Sequence, residues 1–285
     1  MKIAVVTDSA SNIANENISM SGIYWVPLQI ADGNDVYLES ETASVADIVG
    51  LLKQKKVLMT SLPPLGRIEE LFMRLKQEGY DMIFAVCVTK GLSSTIDAMI
   101  TAAQQIDIPM EFIDCYSTAC LQLHLAVSAR IMFDAGKSVE EVKKALQKSI
   151  DDSCTYIIAD DMKHLARSGR LSPVSATFAG LLKIKPILYL DQSTEGKIVA
   201  ISKTRTMAKA MAELVNLYVE KGVGEGYRVY VAHVDNLEGA KLMYRLLKEK
   251  LENVEICIID LISTISVHTG IGCVASQYIK LVDTE

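Results

Sequence analysis

The sequence predicts an α/β fold in two parts: an N-terminal α/β domain with a parallel sheet (residues 1–152) and a C-terminal α+β domain with a mixed sheet (residues 153–285). Three observations predict it. The chain has 285 residues, more than one small module needs. Through the first half, short β-branched runs alternate with helical stretches, the pattern of parallel strands covered on both faces. In the second half two strands adjoin across a short turn at Gly196, which calls for antiparallel pairing before helix–strand alternation resumes.

The elements follow in order. Residues 3–7 read as a strand ending in the polar turn Asp8-Ser9-Ala10-Ser11, and residues 23–30 as one extended run. Ser44-Val45-Ala46-Asp47 has the pattern of a capping box and opens a helix to about Lys55. Residues 58–67, marked by Pro63-Pro64, read as a loop before a helix to Gln77. A buried strand over 81–88, a helix over 94–106, a strand over 110–113 and helices over 117–134 and 139–149 complete the first half, with Gly136 closing the first of that helix pair. The second half reads as a strand at 154–159, helices at 161–167 and 173–182, strands at 187–190 and 197–202, and then helix 206–221, strand 228–233, helix 237–251 and strand 254–260.

Composition narrows the function. Half the residues are apolar but only 6% are aromatic, so the core is mainly aliphatic. The formal net charge of −6 argues against a general nucleic-acid or membrane-surface binder. No apolar run reaches the length of a spanning helix, and the opening Met1-Lys2-Ile3-Ala4-Val5-Val6-Thr7-Asp8 turns polar too soon for a signal-peptide core, so a cytoplasmic protein is expected. The six cysteines are scattered without a CxxC and read as reduced core residues. Cys115, Cys120 and His124 come nearest to a metal set but lack a fourth ligand nearby, so no metal and no cofactor are expected.

Chemistry gathers where strands end. In open α/β sheets ligands bind beyond the carboxyl ends of the strands. Here those ends carry Asp8-Ser9-Ala10-Ser11, Thr89-Lys90-Gly91-Leu92-Ser93-Ser94-Thr95 and Asp114-Cys115-Tyr116-Ser117-Thr118, with Met59-Thr60-Ser61-Leu62 between them. Hydroxyls and free N–H groups at helix starts suit an anion or polar head group, although each could equally cap its own helix. His268-Thr269-Gly270-Ile271-Gly272 adds one titratable ring, read as following a strand. His124, His164 and His233 read as structural. Dinucleotide, P-loop, nucleophile-elbow and HExxH motifs are absent from the sequence.

These segments occur in a telling order. Asp8-Ser9-Ala10-Ser11, Thr60-Ser61-x-Pro63, Gly91-Leu92-Ser93-x-Thr95, Asp114-x-x-Ser117 and Leu165-x-x-Ser168-Gly169-Arg170-Leu171-Ser172 come first. Gly180-Leu181-Leu182-x-Ile184-Lys185-Pro186-Ile187-Leu188, Gly196, Lys203-x-Arg205 and His268-Thr269-Gly270-x-Gly272 complete the set. Together they resemble the DegV family, whose best-understood members are the fatty-acid-binding subunits of bacterial fatty acid kinase, and the likeness spans nearly the whole chain. The resemblance implies a protein, not itself an enzyme, that buries a long-chain fatty acid between its domains. A separate kinase subunit would then phosphorylate the presented carboxylate with ATP, in phospholipid metabolism. Carried over, the ligand-binding residues would be Thr60, Ser61, Ser93, Ser94, His268 and Thr269, with Arg170 and Arg205 facing the partner. Val174, Ala176, Phe178, Ala179 and Leu181 of the 173–182 helix would line the acyl tunnel. The sequence departs from the family pattern at Leu62, Pro64, Cys115, Leu121, Leu123, Ser168 and Ile271. Two other readings compete: a hydrolase or acyltransferase using Ser93 and His268, with Asp114 or Asp260 orienting the ring, and a sugar- or phosphate-binding module.

Overall fold

The computed structural model describes residues 1–16, 18–176 and 184–284. Elements are numbered along the chain. The first sheet has the order β2 (Ile23–Val26), β1 (Ile3–Asp8), β6 (Met82–Cys87), β7 (Met110–Asp114), with every pairing parallel. Its central strands are almost wholly buried, as their unbroken apolar runs require. Helices α2 (Leu65–Gln77) and α3 (Thr95–Ile106) pack Ile68, Phe72, Leu75 and Met99 on one face. Helices α4 (Ala119–Asp134) and α5 (Val139–Asp151) pack Leu125, Ala129 and Leu146 on the other. Two capping boxes, Ser44 with Asp47 before α1 (Val45–Lys53) and Ser138 with Glu141 before α5, start their helices sharply.

The second sheet is mixed, in the order β10 (Val199–Ala200), β9 (Leu188–Leu190), β8 (Cys154–Ile158), β13 (Val274–Lys280), β11 (Tyr227–His233), β12 (Glu255–Asp260). Only β11 and β12 pair in parallel. Helices α8 (Met207–Glu220) and α9 (Leu237–Lys250) bury Met211, Leu214, Tyr218, Met243 and Leu247 on one face. The short helices α6 (Met162–Arg167), α7 (Pro173–Ala176) and α10 (Ser263–Thr269) lie in its connections.

A third, antiparallel sheet, β4 (Asp35–Leu38), β3 (Gln29–Asp32), β5 (Leu58–Ser61), was not foreseen. The run over 23–30 is not one strand: it divides at Pro27, which has no N–H for a ladder, and its halves join different sheets. The expected loop over 58–67 holds β5 and the start of α2. The strand expected at 197–202 shrinks to β10. β13 sits mid-sheet although its Ser276 and Gln277 hide it from an apolar-run reading. Of the helix expected at 173–182, α7 is described, whereas Phe178, Ala179 and Leu181 lie outside the described residues.

Among the contacts between the first and second sheets, two stand close to the sheet ends. The Gln277 side chain on β13 donates from Nε2 to the Thr118 carbonyl (2.8 Å), Thr155 Oγ1 (2.7 Å) and Ser117 Oγ (3.1 Å), tying the end of β7 to the second sheet. At the β6 end, Gly91 lies so close to the turn after β9 that a Cβ there would fall 2.5 Å from the Glu195 carbonyl oxygen.

Candidate ligand cavity

A cavity of about 480 Å³ lies between the two larger sheets. The first sheet supplies its loops beyond β1, β6 and β7; the second supplies one face of β8, β9, β11, β12 and β13; β5 and α10 add to the lining. Thr60, Ser61, Ser93, Ser94, His268 and Thr269 all line it, as does Arg170. Arg205, between β10 and α8, is exposed and outside the lining.

Four segments bring these polar side chains to the lining. His268 occupies the last turn of α10, not the end of a strand, and its Nε2 meets Thr60 Oγ1 of β5 at 2.7 Å. The ring's Nδ1 is shielded from solvent and has no hydrogen-bond partner among the described residues. Burial, then the charge of Arg170 and the nearby His164, push the His268 imidazole down to about 3, so the ring is neutral. Ser93 Oγ lies 2.9 Å from Thr95 Oγ1, and Ser94 holds the N-cap position of α3 without a side-chain cap bond. Thr269 is buried and its hydroxyl donates to the Ile265 carbonyl, so it shapes the end of α10. Arg170 Nη1 donates to the Ser168 carbonyl.

Other candidates turn out to be scaffold. Asp8 accepts from the Ala10 and Val88 N–H groups, Ser11 donates to the Asp8 carbonyl, and Asp114 accepts from the Tyr116 and Lys90 N–H groups. Ser9 donates to Glu39, a buried carboxylate that also accepts from the N–H and hydroxyl of Thr264 at the start of α10. Burial pushes Glu39 upward in pKa, and it carries three neutral donors that tie the β1 loop to the helix bearing His268. His124 accepts from the Val282 N–H, His164 Nε2 meets the Val267 carbonyl and His233 Nδ1 accepts from the Asn236 N–H. No group of three or more His, Cys, Asp or Glu among the described residues is placed to hold a metal ion. No helix among them is long and apolar enough to cross a membrane.

The geometry bears on catalysis directly. A serine nucleophile needs its base within hydrogen-bond reach and a third group orienting that base. Here Ser93 and His268 bond to Thr95 and Thr60 respectively; Asp114 serves its own turn, and Asp260 lies 3.6 Å from His233. The sequence reading missed a second polar stretch of the lining, where Thr155, Gln277 and Tyr230 share one face of the second sheet. Their signal was the two-residue alternation of β8 and β13, masked by the polar members themselves.

The family model described as uncharacterised protein, DegV family, matches residues 2–281. A DegV domain-containing protein of Halalkalibacterium halodurans is 28% identical over 283 residues, covering 98% of this chain and 99% of that one. Among solved structures, a fatty acid binding DegV family protein from Streptococcus agalactiae superposes with a TM-score of 0.86 at 27% identity, covering 98% of this chain and 99% of that one. DegV from Bacillus subtilis, described as a fatty acid binding protein, gives 0.84 at 28% identity over the same shares.

Proposed function

The chain belongs to the DegV family, and on that premise we propose that it binds one long-chain fatty acid in the cavity and presents the carboxylate to a partner kinase for acyl-phosphate formation. The observation that carries the reading is a buried, neutral His268 paired with Thr60 in a cavity whose lining is otherwise rich in aliphatic side chains, among them Leu92, Ile157, Ala232, Ile259, Ile265 and Ala275. Thr60, Ser61, Ser93, Ser94 and His268 meet the carboxylate in this reading, with Thr269 setting the backbone beneath it. Burying about 15 methylenes at ~0.8 kcal/mol each gives roughly 12 kcal/mol gross, ample to offset the ordering of a flexible chain. The fatty-acid-binding descriptions of the relatives from S. agalactiae and B. subtilis support it.

The kinase step belongs to the same proposal. A carboxylate that attacks a phosphoryl group keeps its lone pairs available when neutral hydroxyls hold it in place of a bidentate arginine. Arg170 at the cavity and the exposed Arg205 then face the incoming partner. Residues 1–152 and 153–285 act as two domains with the lipid between them, in a cytoplasmic protein that needs no cofactor of its own. Mass spectrometry of the purified, denatured protein tests the central claim. A co-purifying fatty acid in near-stoichiometric amount is expected; a sugar, a nucleotide or a phosphorylated metabolite in its place overturns it.

A further inference from the structure

Strand pairing arranges the cavity floor in two rows. Ile157, Ala275, Ala232 and Ile259 are successive cross-strand partners on β8, β13, β11 and β12, and all line the cavity. Two residues along each strand, about 7 Å away, a second row holds Thr155, Gln277 and Tyr230. Since β12 runs directly toward α10, the first row is the nearer to His268 and the second the farther. The near row contains two alanines, whose short side chains leave a lane over the sheet. In the far row Gln277 and Thr155 are each only 5% exposed.

Two members of this far row are held by hydrogen bonds. Gln277 Oε1 accepts from the Leu121 N–H at 3.3 Å while Nε2 holds Ser117, Thr118 and Thr155, so the amide is fixed from both sheets. An alkyl tail crossing the lane meets Gln277 and Thr155, whose polar groups already have partners, and displacing them would strip buried bonds. Building on the fatty-acid reading above, we propose that Thr155, Gln277 and Tyr230 form the stop that sets the longest acyl chain this protein holds. The two alanines of the near row set the width of the path to it.

The test is affinity against chain length, titrating saturated free fatty acids that differ by two carbons. Each buried methylene is worth about fourfold, so affinity climbs with length and levels off when the tail reaches the stop. Gln277→Ala removes part of the stop, and Tyr230→Ala opens it without touching the Gln277 bonds. In either variant an acid two carbons past the wild-type plateau gains roughly tenfold or more. Ala232→Leu narrows the lane and moves the plateau to shorter acids. Should Gln277→Ala fail to fold, Tyr230→Ala and Ala232→Leu decide the matter. The same plateau in wild type and the folded variants overturns the stop while leaving fatty-acid binding intact. Wild-type protein that binds none of the acids overturns the reading of the cavity itself.

Discussion

His268 carries more of the proposed head-group chemistry than any neighbour because its ring is neutral, shielded and oriented by Thr60. His268→Ala is expected to cost roughly 1.5–3 kcal/mol, about ten- to a hundredfold in fatty-acid affinity. Titration of a fluorescent fatty acid against both proteins measures it, and equal affinities would remove His268 from the site. The glycine-flanked motif singled out His268 as a candidate; its contact with Thr60 was not legible, because 208 residues separate the two. His124 offers a second test, of stability. Its Nε2 accepts from the Val282 N–H, an arrangement only the neutral ring can make, and burial pushes it from 6.5 down to about 4. Below 6.5 the unfolded chain binds a proton that the folded chain refuses, so stability falls as pH drops from 6.5 toward 4. His124→Gln has no such proton to take up. Urea unfolding across that window is expected to show a shallower loss for the variant, and parallel losses would assign the pH dependence to other groups.

At the scale of elements, legibility followed local signals. The Ser44-x-x-Asp47 box announced α1, and unbroken apolar runs announced β1 and β6, because each of those signals is complete within a few residues. β13 and α10 lacked one. In β13 the residues that bind across to the first sheet are polar, and α10 is β-branched and begins after Ile262 with no side-chain cap. Glu39 supplies what that cap would have given, from 225 residues away. The loop after β6 and the turn after β9 are likewise coupled only in three dimensions, through Gly91. Gly91→Ala drives a Cβ against backbone atoms at 2.5 Å and is expected to cost roughly 1–3 kcal/mol. Gly50→Ala, inside α1 with open space around it, should instead stabilise by up to about 1 kcal/mol. Chemical denaturation of the pair separates close packing from helix propensity, and a neutral Gly91→Ala would mean that the two loops do not hold each other.

Across the whole molecule, the cavity owes its existence to the facing of two sheets that no single segment encodes. Strand–helix alternation foretold the parallel sheet, and the turn at Gly196 foretold an antiparallel pair in the second. The third sheet escaped because β3, β4 and β5 are four residues each and β5 runs into Pro63-Pro64. That small sheet brings Thr60 to His268, so the missed element supplies part of the proposed site. A ligand lying between the sheets touches both, and it binds only where they are assembled. Binding therefore stabilises the folded chain as a whole, by about 2.7 kcal/mol when free ligand exceeds its Kd a hundredfold. For a chain of this size that raises the melting temperature by roughly 5 °C. Acetate has the same carboxylate without the alkyl chain and should leave the melting temperature unchanged at equal concentration, since the aliphatic lane supplies most of the binding energy. A thermal melt with each acid, starting from delipidated protein, makes the comparison. A shift as large with acetate would place the affinity in the head group alone, and no shift with any long-chain acid would mean that the space between the sheets serves a different ligand.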